Sequence, residues 1–170
     1  LVILDPQVTV GLPPKLTAAT GADALTHCIE SFTCPQFHPM CDGIALEGIR
    51  IAARALPIAV REPGNLQARG DMMMSSMMGA VAFQKDLGAV HACAHALSTV
   101  ADLHHGLANA LMIEPVMQFN LEVAREKFAE MAHVVGAGGA EAFVPWLKKF
   151  KSTIGIPASL SAMKVTREHI

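Results

Sequence analysis

The sequence predicts an all-α fold, a helical bundle with one residual strand at its N-terminus. Ala is the commonest residue and there are 10 Met, so strong helix formers are abundant in this chain of 170 residues. Aromatic residues make up only 5% and Tyr is absent, which disfavours an all-β fold. Apolar residues also recur at helical spacing along most of the chain.

Composition and charge exclude several classes of protein. A chain that is 52% hydrophobic can build a sizeable core and is not a disordered polymer. The net charge is −2 and no more than two basic residues are adjacent, which argues against a nucleic-acid partner. No apolar stretch reaches the roughly 18 residues of a membrane span, so we expect no membrane partner either.

The low content of charged residues and the cysteines predict the surroundings of the protein, namely a covered surface and a reducing compartment. Charged residues are 16% of the chain against about 25% in an average soluble domain, so we expect another domain or subunit to cover part of the surface, as in a homo-oligomer or dimer. The 4 cysteines form no CxxC pair and are interpreted as small buried thiols in a reducing compartment, the cytoplasm.

The first residues are interpreted as a domain junction. Leu1 to Leu4 form an apolar run closed by Asp5-Pro6, which predicts a strand cut from a sheet. Pro13-Pro14 opens a short helical turn. Thr20 is predicted as the N-cap of the first long helix, with Asp23 three residues on. The predicted boundaries are therefore 1–19 for the junction and 20–170 for a helical domain.

Seven helices are predicted in order along this domain. They cover about 20–32, 40–60, 66–83, 89–99, the segment from His104-His105-Gly106 to 119, 121–135 and 143–154. The third carries five methionines between Met72 and Met78 and is apolar nearly all round, so we expect it to be a central, buried helix. A methionine-lined substrate pocket is the alternative interpretation.

Pairs of ionisable residues occur at the spacing of one helical turn. Asp23 precedes His27 by four residues, and His91 precedes His95 by four, so each pair shares one helix face. The second pair is not the zinc-peptidase motif, because Ala92 stands where that motif requires Glu. A structural interpretation, as surface hydrogen bonds or satisfied core histidines, remains open for each group.

These groups, together with His105, lie in segments that are otherwise poor in polar residues. Burying several imidazoles is costly unless they converge on a cation, and this favours a metal site. A mixed oxygen and imidazole set suits Fe, Zn, Mn or Ni better than Ca.

Three segments together resemble the signature of the iron-containing (group III) alcohol dehydrogenases. The segments are Gly21–Glu30 (GADALTHCIE), Gly88–Leu97 (GAVHACAHAL) and His105–Ala110 (HGLANA). Their order, the spacing of fourteen between His91 and His105, and the Asp5-Pro6 lead-in all fit, and the resemblance extends to about Asn120.

The resemblance implies a two-domain enzyme, in which an N-terminal α/β domain binds NAD(P) and a C-terminal helical domain of the dehydroquinate synthase-like fold holds the metal. It identifies residues 20–170 as the metal-binding catalytic domain, without the nucleotide-binding domain, so this chain alone is expected to be inactive. No residue here is assigned to NAD or NADP, because Gly136–Gly139 follows a predicted helix instead of a strand.

The resemblance also implies site residues. The metal ligands are Asp23, His27, His91 and His105, for Fe²⁺ or alternatively Zn²⁺. His95 matches a family histidine near the metal that is usually not a ligand, and we expect it to be catalytic as a proton relay. Two interpretations are open for Gly106 and Asn109. They either cap the start of a helix, or they position the cofactor or the metal ligands.

The implied function is the reversible oxidation of a small-molecule alcohol to an aldehyde or ketone, with hydride transfer to NAD(P). The alternatives are a zinc polyol dehydrogenase of the glycerol type, a relative of the maleylacetate reductases, and a non-catalytic helical metal-binding domain. The intact set of four ligands favours the iron alcohol dehydrogenase over the first two.

Overall fold

The computed structural model describes the backbone of residues 1–169 and, except for Arg167, their side chains. Across this part of the chain the regular structure is helical. The α-helices are α1 (Pro14–Thr33), α2 (Pro39–Arg61), α3 (Leu66–Ala82), α4 (Ala89–Ala101), α5 (His105–Asn120), α6 (Arg125–Val134) and α7 (Ala140–Thr153). The predicted all-α class is confirmed. Within the same residues, no helix is long and apolar enough to cross a membrane.

The strand expected at residues 1–4 is not formed. Leu1, Val2 and Ile3 are exposed and carry no regular structure. The chain then turns at Asp5, whose carboxylate accepts a hydrogen bond from the backbone N–H of Gln7 at 2.9 Å. A strand needs a neighbouring strand for its backbone hydrogen bonds, and residues 1–169 provide none.

Helix α1 is longer than predicted, because it begins at Pro14 and not after Thr20. Proline is tolerated in a first helical turn, where its missing N–H would have no partner, and the turn continues into the helix without a break. The Thr20 hydroxyl donates to the Leu16 carbonyl oxygen at 2.9 Å, so Thr20 lies inside α1 and is not its N-cap. The boundary predicted between residues 19 and 20 therefore falls within a continuous helix.

The core is arranged around α1, which packs against α2, α3 and α5. Leu25, Cys28, Ile29 and Phe32 on α1 are each 2% exposed or less. Helix α4 packs on α5, and α6 packs on α7 and contacts α2. Since α1 lies between three helices, polar side chains along it are held in a largely apolar surrounding.

The methionine-rich helix α3 is buried on one face only, contrary to the prediction. Its buried residues are Ala68, Arg69, Met72, Ser75, Gly79 and Ala82, and four of these six are small. Met74 is 40% exposed, and Met73, Met77 and Met78 are half-buried. Small residues let α3 approach α1 and α2 closely, so packing distance and not hydropathy selects the inward face.

Candidate metal centre

Helix α1 presents Asp23 and His27 on one face, and both side chains are half-buried. The helix α3 lies directly against this turn. A Cβ atom added at Gly79 of α3 would come within 2.9 Å of the His27 Cβ atom. The absence of a side chain at Gly79 therefore lets α3 pack at this distance from the site.

Helix α4 contributes His91, which is 3% exposed. The N-cap of α4, Gly88, offers no capping side chain. Instead, the Glu30 carboxylate on α1 accepts hydrogen bonds from the backbone N–H groups of Val90, at 2.7 Å, and His91, at 3.2 Å. This contact between two helices places the His91 ring beside Asp23.

Helix α5 contributes His105 and Asn109 from its first two turns. A Cβ atom at Gly106 would lie 2.5 Å from the Ala19 carbonyl oxygen, so the close approach of α5 to α1 requires glycine there. This approach carries both polar side chains to Asp23.

The Asp23 Oδ1 atom is the point on which the site converges. The Nε2 atoms of His27, His91 and His105 lie 3.7, 3.5 and 3.8 Å from it. One ligand atom from each of Asp23, His27 and His91 lies within 4.8 Å of the other two, a spacing that a single ion can bridge. All four side chains that the resemblance implied as ligands thus lie around Asp23, but His105 stands outside the group of three, and its distance to Asp23 Oδ1 links it to the site.

The four groups differ in charge. Burial opposes a charged His91, but the nearby carboxylates of Asp23 and Glu30 outweigh it and raise the pKa of His91 to about 9. Burial would raise the pKa of Asp23, yet the close contact with His91, the other imidazoles and the Asn109 hydrogen bond hold it below its usual value. Burial lowers the pKa of His27 and of His105, so both rings are neutral at pH 7 and can donate lone pairs.

The arrangement fits a divalent cation. The buried Nε2 atom of His91 has no hydrogen-bond partner, and an unsatisfied buried polar atom costs about 1–3 kcal/mol. This atom faces Asp23 Oδ1, and a cation bound between them would displace the Nε2 proton and accept the lone pair. One carboxylate and three imidazoles form a donor set suited to Fe²⁺, Zn²⁺ or a similar first-row metal.

His95 lies at the exposed side of the site. Its ring stacks on the His105 ring with centroids 5.1 Å apart, and its centroid is 6.2 Å from that of His91. It therefore stands between the buried imidazoles and solvent. The neighbouring His104 is the N-cap of α5, where its Nδ1 atom accepts from the Leu107 N–H at 3.4 Å.

Glu30 is a buried residue at the site that the sequence patterns did not single out. It follows Asp23 by seven residues and His27 by three, so all three lie on one face of α1. The Glu30 side chain is 3% exposed and lies 2.6 Å from His91 Nδ1. The signal that could have pointed to it is a carboxylate flanked by Ile29 and, two residues on, Phe32, in a helix that also carries Cys28.

Comparison with protein-family models matches residues 17–170 to the Fe-containing alcohol dehydrogenase family, C-terminal. The 4-hydroxybutyrate dehydrogenase of Cupriavidus necator is 37% identical, over 98% of this chain and 46% of that protein. The 1,3-propanediol dehydrogenase of Klebsiella pneumoniae is 39% identical, over 96% of this chain and 44% of that protein. The chain thus spans about half the length of the curated relatives that it matches.

Solved structures give the same result. The crystal structure of a 1,3-propanediol oxidoreductase superposes with a TM-score of 0.93 at 38% identity, and covers 95% of this chain and 45% of that one. A sulfoacetaldehyde reductase from Bifidobacterium kashiwanohense in complex with NAD⁺ superposes with a TM-score of 0.88 at 32% identity, over 96% of this chain and 44% of that one.

Proposed function

Because the chain belongs to the Fe-containing alcohol dehydrogenase family, we propose that it supplies the metal-binding half of an NAD(P)-dependent active site that interconverts an alcohol with an aldehyde or ketone. The observation that carries this proposal is the convergence of three imidazole Nε2 atoms within 3.8 Å of Asp23 Oδ1. Relatives named as 4-hydroxybutyrate and 1,3-propanediol dehydrogenases support a small alcohol as substrate.

The ligands proposed are Asp23, His27, His91 and His105, and the proposed ion is Fe²⁺, with Zn²⁺ as the alternative. We propose residues 20–170 as the metal-binding domain, with α1 extending its helical part back to Pro14. When bound, the metal supplies a Lewis acid that polarises an alcohol oxygen, and the nicotinamide supplies the hydride acceptor.

The residues of this chain then have separate tasks. The Asp23 carboxylate and the imidazoles hold the cation, and Asn109 orients Asp23 through a hydrogen bond of 2.6 Å. His95 takes up the proton that the alcohol loses and passes it to solvent, since an imidazole can both accept and donate a proton and this ring lies at the exposed side of the site.

Metal analysis tests the ligand set. The protein, loaded with Fe²⁺ under anaerobic conditions and freed of excess metal, is expected to hold one ion per chain. Asp23→Ala is expected to hold none, because it removes the group shared by all three imidazoles. Asp71→Ala on the outer side of α3, which breaks an ion pair with Arg54, serves as the control and is expected to keep the ion. Equal metal content in the two variants would refute the site.

The nicotinamide is proposed to bind a part of the enzyme outside these 170 residues. A dinucleotide pyrophosphate is usually held by a strand followed by a glycine-rich turn and a helix. Residues 1–169 contain no such unit. Titration of the chain with NAD⁺ and NADP⁺, followed by Trp146 fluorescence or calorimetry, is expected to give no saturable binding. Tight binding would place a cofactor site within the helices.

We also propose that the protein acts in the cytoplasm as a homo-oligomer. The 4 cysteines are free thiols, as is usual in a reducing compartment. Phe37, Phe119 and Val123 are 88%, 84% and 86% exposed, and large exposed apolar side chains favour contact with another protein surface. Light scattering coupled to size-exclusion chromatography tests the oligomeric state, and a monomeric mass would refute it.

A further inference from the structure

We propose that Glu30 is a positioning residue for the metal site, which orients His91 and supplies the second negative charge that balances a divalent cation. The inference rests on the proposed function, since it concerns the same site. It adds a residue that contacts a ligand and not the ion.

The first argument is the contact between Glu30 and the His91 ring. The Glu30 Oε2 atom lies 2.6 Å from His91 Nδ1. A carboxylate that accepts a hydrogen bond from Nδ1 keeps the proton on that nitrogen, so Nε2 is the nitrogen left to donate a lone pair when His91 binds a metal. That Nε2 atom is the buried one without a hydrogen-bond partner, 3.5 Å from Asp23 Oδ1. Glu30 therefore selects the nitrogen that faces the site.

The second argument is that the same carboxylate locks the helix that carries His91. Its two oxygens accept the backbone N–H groups of Val90 and His91 in the first turn of α4. The approach depends on Gly88, because a Cβ atom there would lie 2.7 Å from Glu30 Oε1. One side chain on α1 thus fixes both the position of α4 and the rotation of the imidazole.

The third argument is charge balance. Glu30 is 3% exposed, and within the described part of the chain no Lys or Arg nitrogen lies within 4 Å of its carboxylate. Its hydrogen-bond partners there are His91 Nδ1 and the backbone N–H groups of Val90 and His91, none of which a metal bound at Nε2 would displace. Two carboxylates, Asp23 and Glu30, then balance a divalent ion and the buried site carries no net charge.

The test is the Zn²⁺ affinity of the full chain, measured by competition with a chelating dye. Glu30→Gln keeps the side-chain size but replaces one acceptor oxygen with a donor, and it is expected to bind Zn²⁺ about 10–100-fold more weakly than wild type. Asn65→Ala is the matched control. It removes a cap from α3, where Asn65 Oδ1 accepts the Ala68 N–H, and is expected to leave the Zn²⁺ affinity unchanged.

A second readout, which begins with the wild-type chain, separates orientation of the His91 ring from a merely structural role. In the Zn²⁺-loaded wild-type chain labelled with ¹⁵N-histidine, NMR is expected to show one ring with a slowly exchanging proton on Nδ1 and the metal on Nε2, protected by Glu30. In Glu30→Gln this proton is expected to exchange faster. In Asn65→Ala it is expected to be unchanged.

The outcomes are distinct. Unchanged Zn²⁺ affinity in Glu30→Gln, or a wild-type His91 that binds the metal through Nδ1, would overturn the role of Glu30 while leaving the proposed function intact. A wild-type chain that binds no Zn²⁺ or Fe²⁺ would contradict the proposed function and this inference together.

Discussion

The Asn109 amide nitrogen donates a hydrogen bond of 2.6 Å to Asp23 Oδ1, the atom on which the three imidazoles converge. Asn109 is fully buried, and the same nitrogen lies 3.1 Å from His105 Nε2. One side chain on α5 therefore holds the carboxylate of α1 and the imidazole of α5 in a common geometry. Groups that support a metal ligand in this way fix its orientation and thereby raise metal affinity.

Replacing Asn109 with Leu, which has a similar volume, is expected to weaken Zn²⁺ binding by about 10–100-fold. The reason is that Asp23 loses the donor that orients its carboxylate. The measurement is dye competition on the metal-free chain. Asn120→Leu, at the far end of the same helix, serves as the control with unchanged affinity. Equal affinities for the two variants would mean that Asn109 only packs.

Although their rings are stacked, His95 and His105 are expected to differ in what their replacement by Ala does to metal content and turnover. In the whole enzyme, His95→Ala should keep its metal and lose about 10²–10⁴-fold in turnover, because it is proposed to move a proton and not to bind the ion. His105→Ala should lose the metal. Metal analysis and steady-state kinetics of both variants decide the matter, and loss of metal from both would make His95 a ligand.

Gly106→Ala is expected to lower the free energy of unfolding by about 1–3 kcal/mol and to weaken metal binding. The new Cβ would meet the Ala19 carbonyl oxygen at 2.5 Å, so α5 must move away from α1 and carry His105 with it. Gly43→Ala in α2 is the control, because nothing lies within 4 Å of its Cβ position. That change is expected to stabilise the helix by up to about 1 kcal/mol.

Urea unfolding of the metal-free variants, together with dye competition, measures both effects. If Gly106→Ala and Gly43→Ala had the same stability and Zn²⁺ affinity, the close contact between α5 and α1 would have no role in the site.

The Cys28 thiol is expected to be inert in the native chain. Burial raises its pKa to about 12, so almost none of it is thiolate at pH 8, and thiolate is the reactive form. Iodoacetamide at pH 8 followed by mass spectrometry should label the half-buried Cys34 and Cys93 first, and Cys28 only after denaturation. Labelling of native Cys28 as fast as Cys93 would show that the contact between α1 and α2 opens readily.

The helical class and the sharing of one helix face by Asp23 and His27 could be predicted from local patterns. Helix formation depends on contacts within a few residues, so periodic spacing placed most of the seven helices, and one-turn spacing paired Asp23 with His27. The resemblance joined His91 and His105 to that pair, and the structure brings all four together. The helices depend on residues that are close in sequence, and the set of candidate ligands depends on sequence motifs with a fixed order and spacing.

The remaining features depend on contacts between distant segments, which local patterns do not contain. Residues 1–4 lack a partner strand, α3 turns its small residues inward, and α5 reaches α1 only because Gly106 has no side chain. Glu30 is distant in sequence from His91. The two meet because the first turn of α4 packs against α1, where the Glu30 carboxylate contacts the backbone N–H and the ring of His91. Which nitrogen of His91 faces Asp23 is therefore set by helix packing, because a ring's orientation depends on the groups that surround it in space.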